Sequence, residues 1–368
     1  MKYLLLTLNW FFAIIFGLGT AAFFLMGNWA QAIILLAITL VLLPPVRNQF
    51  RRWAGRPVPW WGWTGAIIVL LVLFYGVGSL NRPTSVYKSP EVRVRLMEIY
   101  DEKMADWPVP YEDIFVDTQY GPVHVIVSGP EEGPPLLLLH ASGVASWSWK
   151  YNVAELSQQY RTYAIDLMGD AGKSEFASLE HVMKTGQDQA ELYAEIADKL
   201  GVEKAYVVGA SEGGFIGTNY ALYHPERVEK LALLGPMGYS GAGEAIMRIT
   251  FAQVFPLKSI QESTFSWVFS DNPQLEEEFG EWFPLLMSGL LPVKVAPWTL
   301  SAEARQSLKV PVMFVFGQRD NLVGDPEVAR QLVQDIPDVR VEVLNTGHLI
   351  AAEEPERVNA LLLEFFAE

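Results

Sequence analysis

The 368-residue sequence predicts an α/β domain with a largely parallel sheet, preceded by an apolar helical region, and three observations carry that prediction. From about residue 112 onward, short runs rich in Val, Ile, Leu and Tyr alternate with longer stretches of helical spacing, as in strands joined by helices. Residues 1 to 80 contain no Asp or Glu and five basic residues, whereas the remainder carries 22 basic against 42 acidic residues, a formal charge of −20. Lys204 to Leu222 reads as strand, sharp turn and helix around Gly209-Ala210-Ser211-Glu212-Gly213-Gly214.

Taken from the N-terminus, Tyr3 to Met26 is apolar apart from Asn9 and a few small residues. At about 1.5 Å per residue it reaches across roughly 30 Å of hydrocarbon. Gly27-Asn28 is expected to turn, Ala30 to Val46 forms a second apolar stretch closed by Pro44-Pro45, and Trp63 to Leu80 forms a third. Trp60, Trp61 and Trp63 stand at its start, where amphipathic indoles favour the membrane interface. The expectation is three transmembrane helices, over residues 3–26, 30–46 and 63–80, with the lipid bilayer as partner. A cleavable signal ending near Thr20-Ala21-Ala22 is the competing reading, and it leaves two further apolar stretches and the Arg-rich loop between them unexplained. Arg47, Arg51, Arg52 and Arg56 crowd that loop and should stay cytoplasmic, which places the C-terminal domain on the extracytoplasmic side of the membrane. Arg82, Lys88, Arg93 and Arg95 follow the third span and leave a margin of five basic residues against four.

Residues 81–111 read as a linker in which Val92, Leu96 and Ile99 share one helical face, stopped by Trp107-Pro108-Val109-Pro110. Eight strands are then expected in the domain of residues 112–368: Asp113 to Thr118, Val123 to Ser128, Leu136 to Leu139, Thr162 to Ile165, Ala205 to Val208, Lys230 to Leu234, Val312 to Phe316 and Val339 to Val343. Helices are expected over about 182–200, 212–223, 326–335 and 354–366. Between Pro236 and Val310 the alternation lapses, and an insertion over about 236–308, rich in Phe, Trp, Leu and Met, reads as a helical cap.

Chemistry centres on Ser211. Small residues on both sides let a serine sit on a strained turn between strand and helix with its hydroxyl presented. A serine hydroxyl needs a base, an acid to orient that base, and donors for the oxyanion. His348, in Asn345-Thr346-Gly347-His348 after the last strand, can supply the base. Asp320, directly after the strand that starts at Val312, can hold its far nitrogen; the rival Asp325 precedes Pro326 and fits a helix cap better. His224 follows the elbow helix and reads as structural. The oxyanion donors are expected at the backbone of Glu212 and of Ser142, the latter in the loop His140-Ala141-Ser142-Gly143. The absence of cysteine excludes disulfides, thiolate metal sites and a cysteine nucleophile. The five histidines are scattered, so neither a metal nor another cofactor is expected, and the acidic domain argues against nucleic acid as a partner.

Residues 112–368 resemble the α/β-hydrolase superfamily, in particular its single-domain bacterial carboxylesterases. The resemblance lies in the order Ser211, Asp320, His348 and in Tyr120-Gly121-Pro122-Val123-His124-Val125-Ile126, Tyr160-Arg161-Thr162-Tyr163-Ala164-Ile165-Asp166 and Gly169-Asp170-Ala171-Gly172-Lys173-Ser174. It implies an eight-stranded sheet flanked by helices, a helical cap, a metal-independent serine mechanism and ester substrates. Two departures stand out: the usual His-Gly of the oxyanion loop is His140-Ala141, whose methyl either shifts the Ser142 amide or narrows the pocket, and Glu212 replaces an uncharged residue. The reading is a membrane-anchored serine hydrolase of hydrophobic esters, with Phe265, Trp267, Phe269, Trp282, Phe283, Leu285 and Leu286 of the cap either lining its pocket or filling the cap core. A peptidase or amidase of the same fold and a non-catalytic sensing module are the alternatives, and oligomeric state leaves no trace in the sequence.

Overall fold

Pro44-Pro45 ends the second apolar helix, which stops at Leu42, and Pro44 also begins the next one. The computed structural model describes all residues except 1, 26–28, 56–57, 81–83, 240–242, 255–257, 271, 292, 294 and 296–298. The turn expected at Gly27-Asn28, and Arg56 and Arg82 of the charge count, lie outside the described residues. The chain divides into two compact units, Met1–Pro83 with Thr250–Leu257 and Thr84–Ile249 with Lys258–Glu368.

The first unit contains α1 (Lys2–Leu25), α2 (Trp29–Leu42), α3 (Pro44–Ala54) and α4 (Trp60–Leu80). Leu43 leaves the helical region at φ −66°, ψ 119°, and Pro44 takes the first position of α3, where a missing N–H breaks no helical bond. The chain bends there by 77°. Ala13, Leu35, Ile38 and Leu42 form a buried cluster, joined by Phe16, Ile67, Leu71 and Phe74. Among the described residues no single helix is long and apolar enough to cross a membrane; the bent α2–α3 pair passes that test by length and composition only. The expectation of three separate spans is therefore unsupported: the prolines divide the second stretch, and among the described residues the apolar parts of α1 and α4 are the shorter Thr7–Ala21 and Trp61–Val77.

The second unit opens with α5 (Pro90–Met104), capped by the Ser89 side chain and with Pro90 in its first turn. The face predicted from spacing is the buried one at Leu96 and Ile99, which Tyr100 joins. Eight strands follow: β1 (Tyr111–Thr118), β2 (Gly121–Ser128), β3 (Pro135–Leu139), β4 (Arg161–Ile165), β5 (Ala205–Ala210), β6 (Val228–Leu234), β7 (Val312–Gly317) and β8 (Val339–Leu344). They form one sheet in the order β1-β2-β4-β3-β5-β6-β7-β8. The pairs β1–β2 and β2–β4 are antiparallel and the rest parallel. Each expected strand is present, with ends moved by two residues or fewer. Every residue of β7 is buried, as a parallel strand covered on both faces requires.

The helices of this unit are α6 (Val153–Leu156), α7 (Gly186–Lys199), α8 (Glu212–Tyr223), α9 (Gly243–Val254), α10 (Lys258–Val268), α11 (Pro273–Phe279), α12 (Trp282–Gly289), α13 (Ala302–Gln306), α14 (Pro326–Val333), α15 (Ile350–Glu353) and α16 (Pro355–Ala367). Helix α9 runs on into the segment grouped with the first unit. The insertion between β6 and β7 is helical, as expected of a cap. Its aromatic residues chiefly pack on one another: Phe265 meets Phe269 and Phe283 at 4.6 and 5.1 Å between ring centres, and Phe269 meets Phe279 at 5.2 Å.

At the antiparallel edge, the fully buried His124 bridges two carboxylates, Nδ1 to Asp166 Oδ2 at 2.8 Å and Nε2 to Asp113 Oδ1 at 2.7 Å. Both acceptors are ionised oxygens, so both ring nitrogens carry protons. Burial alone would lower the histidine pKa, but the hydrogen bonds and charges of Asp166 and Asp113 outweigh it and hold the value above the ordinary range. Asp166 also accepts the backbone N–H of Ser146 and of Lys173, at 2.8 and 2.9 Å, tying the ends of β2 and β4 to the loops around the site. A raised histidine pKa stabilises the fold fully below the unfolded value of about 6.5 and ceases to do so as pH rises through the folded value. His124→Gln is expected to cost about 3 kcal/mol near pH 6, since it leaves a buried carboxylate unpaired, and distinctly less on the alkaline side. Urea midpoints at the two pH values test this, and an equal loss at both would show that charge is not what holds the network.

Candidate active site

The strand–turn–helix around Ser211 is dictated by close backbone approach. A methyl at Gly209 would come within 2.4 Å of the Gly213 carbonyl oxygen, one at Gly213 within 2.2 Å of the Leu139 oxygen, and one at Gly214 within 2.7 Å of Pro236 Cβ. Only glycine lets α8 start so near the ends of β3 and β6. The residue left to absorb the turn is Ser211, at φ 50° and ψ −111°, a conformation that costs an L-residue on the order of 1–3 kcal/mol. Its N–H donates to the Leu234 oxygen at 2.9 Å, and its own carbonyl accepts from Phe215 and Met237, each at 3.1 Å. Ser211 is 2% exposed.

His348 lies beyond the C-terminal end of β8 and donates through Nδ1 to Asp320 Oδ2 at 2.8 Å. Asp320 stands after β7, and its other oxygen accepts the backbone N–H groups of Leu322 and Val323 at 2.8 and 3.0 Å, which fixes the carboxylate plane. With Nδ1 protonated, Nε2 of the neutral ring is an acceptor, and no hydrogen bond to it occurs among the described residues. Gly235, at φ 51°, lets the two side chains pass the end of β6: a methyl there would lie 3.1 Å from Asp320 Oδ2 and 3.6 Å from His348 Nδ1. Ser211 is anchored to the preceding residue, Leu234, so nucleophile candidate and imidazole flank the same strand end. Among the described residues no hydrogen bond joins Ser211 to His348; in free enzymes such bonds are commonly loose and tighten on substrate.

Asp325 caps α14, accepting the Glu327 N–H at 2.9 Å. His224 lies at the end of α8, with its ring nitrogens 3.5 and 3.6 Å from Glu191 and Glu226, far in sequence and role from the Asp320 pair.

The loop after β3 is held by His140, whose function sequence reasoning missed. The Leu167 N–H donates to His140 Nε2 at 2.9 Å, so the proton sits on Nδ1, which donates to the Ala141 oxygen at 2.8 Å. In a trans peptide the N–H points opposite the carbonyl. His140 therefore sets which way the Ser142 N–H faces. The Gly213 N–H donates to the His140 oxygen at 3.2 Å, joining this loop to the elbow. Glu212 opens α8, placing its amide at the positive end of the helix dipole. Its residue lines a separate cavity of about 10 Å³ with Gln189, Tyr193 and Met168. Burial first, and then the Glu212 charge, push the Tyr193 hydroxyl pKa far up. Ala141 lines a cavity of about 30 Å³ with His140, Val144, Trp149, Ala210, Phe279 and His348. The extra methyl thus borders a cavity whose lining includes His348 but not Ser211.

Ser211→Gly is expected to be about 1 kcal/mol more stable than Ser211→Ala, because glycine relieves the left-handed strain and alanine keeps it. Thermal or urea unfolding of the two variants measures the difference, and equal stability would show that the turn is unstrained.

The family model described as "Alpha/beta hydrolase family" matches residues 136–361. The "Uncharacterized carboxylesterase nap" of Bacillus subtilis (strain 168) is 31% identical over 303 residues, covering 78% of this chain and 97% of that protein. "Carboxylesterase YbfK" of the same organism is 31% identical over 293 residues, covering 76% and 96%. Among solved structures, naproxen esterase (carboxylesterase NP) from Bacillus subtilis aligns at a TM-score of 0.70 and 30% identity, over 76% of this chain and 99% of that one.

Proposed function

The chain belongs to the alpha/beta hydrolase family, and from that premise we propose that it is a serine carboxylesterase in which Ser211, His348 and Asp320 form the catalytic relay. The observation that carries the proposal is the His348–Asp320 hydrogen bond at the C-terminal edge of the sheet, beside a strained serine anchored to the same strand end. His348 Nε2 takes the Ser211 proton as Oγ attacks the ester carbonyl carbon. The Ser142 and Glu212 amides receive the oxyanion, and the imidazolium gives its proton to the departing alcohol. Water, activated by the same nitrogen, then attacks the acyl-enzyme and releases the acid. Asp320 holds the tautomer and stabilises the imidazolium.

The substrate class follows from the cavity beside His348. Its walls of Val144, Trp149, Phe279 and Ile350 favour an apolar acyl or aryl group. The relatives named carboxylesterases support the ester bond as the target. A p-nitrophenyl ester series tests this. Turnover is expected, with losses on the order of 10³–10⁴-fold in Ser211→Ala, His348→Ala and Asp320→Asn and no fluorophosphonate labelling of Ser211→Ala. Turnover that survives Ser211→Ala would remove the serine mechanism.

We also propose that residues 1–80 lie in a lipid bilayer with the hydrolase domain on the extracytoplasmic side. The support is apolar surface turned outward within the first unit: Leu18 is 62%, Ile33 65% and Val72 65% exposed, more than a water-facing helix sustains. The chain lacks cysteine, so a single Glu131→Cys in the loop before β3 reports its side. Carbonate-resistant membrane partition and labelling of intact cells by an impermeant maleimide are expected. Release by carbonate would dismiss the anchor, and labelling only after lysis would reverse the orientation.

A further inference from the structure

The loop that presents the Ser142 amide is hydrogen-bonded in two directions. The Gly143 N–H donates to Asp170 Oδ2 at 2.9 Å, from the loop after β4. The Gly143 carbonyl accepts the indole N–H of Trp282 at 3.0 Å, and Trp282 belongs to the cap. Trp282 is fully buried and packs edge-on against Trp147, with ring centres 5.7 Å apart. A methyl at Gly143, which has φ 79°, would also touch Leu286 of the same cap helix at 3.5 Å. The cap thus ends directly on the loop.

What holds α12 there is α5 together with the segment just before it. The Lys88 N–H donates to the Gly289 oxygen and the Leu291 N–H to the Val86 oxygen, both at 2.8 Å, around an antiparallel bridge between Tyr87 and Leu290. Lys88 Nζ adds a bond to the Ser288 oxygen at 2.9 Å, and Arg95 Nε reaches Glu281 at 2.7 Å, next to Trp282. Gly289 faces Val92 so closely that a methyl would overlap it at 2.3 Å. Helix α12 is consequently fixed at both ends, and its indole has one place to donate.

We propose that Trp282 is a positioning residue for ester hydrolysis, an inference that rests on the reading above: its N–H fixes the Gly143 carbonyl and thereby the loop that aims the Ser142 amide at the oxyanion. His140 and Asp170 orient that loop from the sheet side; Trp282 supplies the constraint from the cap. The second constraint matters because a carbonyl released from the indole can rotate about the backbone torsions of Gly143, the most permissive residue in the loop. A donor displaced by even a fraction of an ångström stabilises the transition state less while binding the ground state equally well.

Trp282→Phe in the full-length protein removes the N–H and keeps most of the ring packing. Trp147→Phe is the matched control, since the Trp147 indole nitrogen is buried with no hydrogen-bond partner among the described residues. Trp282→Phe is expected to lower kcat for a short p-nitrophenyl ester roughly 10-fold with KM within about twofold, and to weaken a trifluoromethyl ketone inhibitor by the same factor. Trp147→Phe should leave kcat within about twofold. Amide hydrogen exchange at residues 142–144 should quicken in Trp282→Phe alone. Unchanged exchange there, or losses equal in the two variants, overturns the positioning role. Quickened exchange in a protein whose wild type hydrolyses no ester supports the clamp and discards the hydrolase reading instead.

Discussion

The turn at Ser211 is the constraint on which the site depends. Three neighbouring glycines bring the start of α8 within van der Waals contact of the ends of β3 and β6, and the serine between them is left in a backbone conformation it would not choose. The surrounding order follows. The Gly213 amide reaches the carbonyl of His140, so the loop after β3 is registered to the elbow. The Leu234 carbonyl takes the Ser211 amide, so the next residue, Gly235, must pass beneath the imidazole and the carboxylate. The local strain persists because α8 is buried along nearly its whole length, and its packing outweighs a cost of a few kcal/mol.

Much of this was legible in the sequence, and the reasons differ by element. The eight strands could be read because a parallel sheet covered on both faces needs unbroken apolar runs, as in Val312 to Phe316. The elbow could be read because glycine is the only residue that fits where backbones touch. Asp320 was separable from Asp325 because a residue before proline at a helix start has a local task, which Asp325 performs. Pro44-Pro45 was legible in part, because proline has two local meanings, an end for one helix and a start for the next; the end was read, and the start shows only in the chain's path.

Other features depend on contacts between distant positions, which carry no local pattern. Nothing in the neighbourhood of His124 reveals that Asp113 and Asp166 converge on it, since the convergence follows from β2 lying between β1 and β4. Nothing around Trp282 marks it among the cap's aromatic residues; its indole differs only in ending at Gly143. The cap aromatics illustrate the same limit. Their composition is equally suited to a substrate pocket or to a small hydrophobic core, and their mutual ring contacts place most of the described ones in the core, with Phe279 among the described residues the one that also faces the cavity beside His348.

Two histidine–aspartate pairs in one domain show how little the pair alone decides. His124 and His348 each bond an aspartate through Nδ1 at 2.8 Å, and each is buried. His124 spends its second nitrogen on Asp113, so its proton has two ionised acceptors, the ring stays charged, and it acts as a fixed cation between three strands. At His348 the one carboxylate is satisfied by two backbone amides besides the ring, and the second nitrogen has no such partner among the described residues, beside a cavity that Ala210 and Ala141 also line. A base must be able both to accept and to return a proton near neutral pH, and a ring clamped between two carboxylates cannot. The difference between a structural cation and the proton shuttle proposed at His348 lies in what meets the second nitrogen, and for His124 that follows from the strand order, which places β1 beside β2.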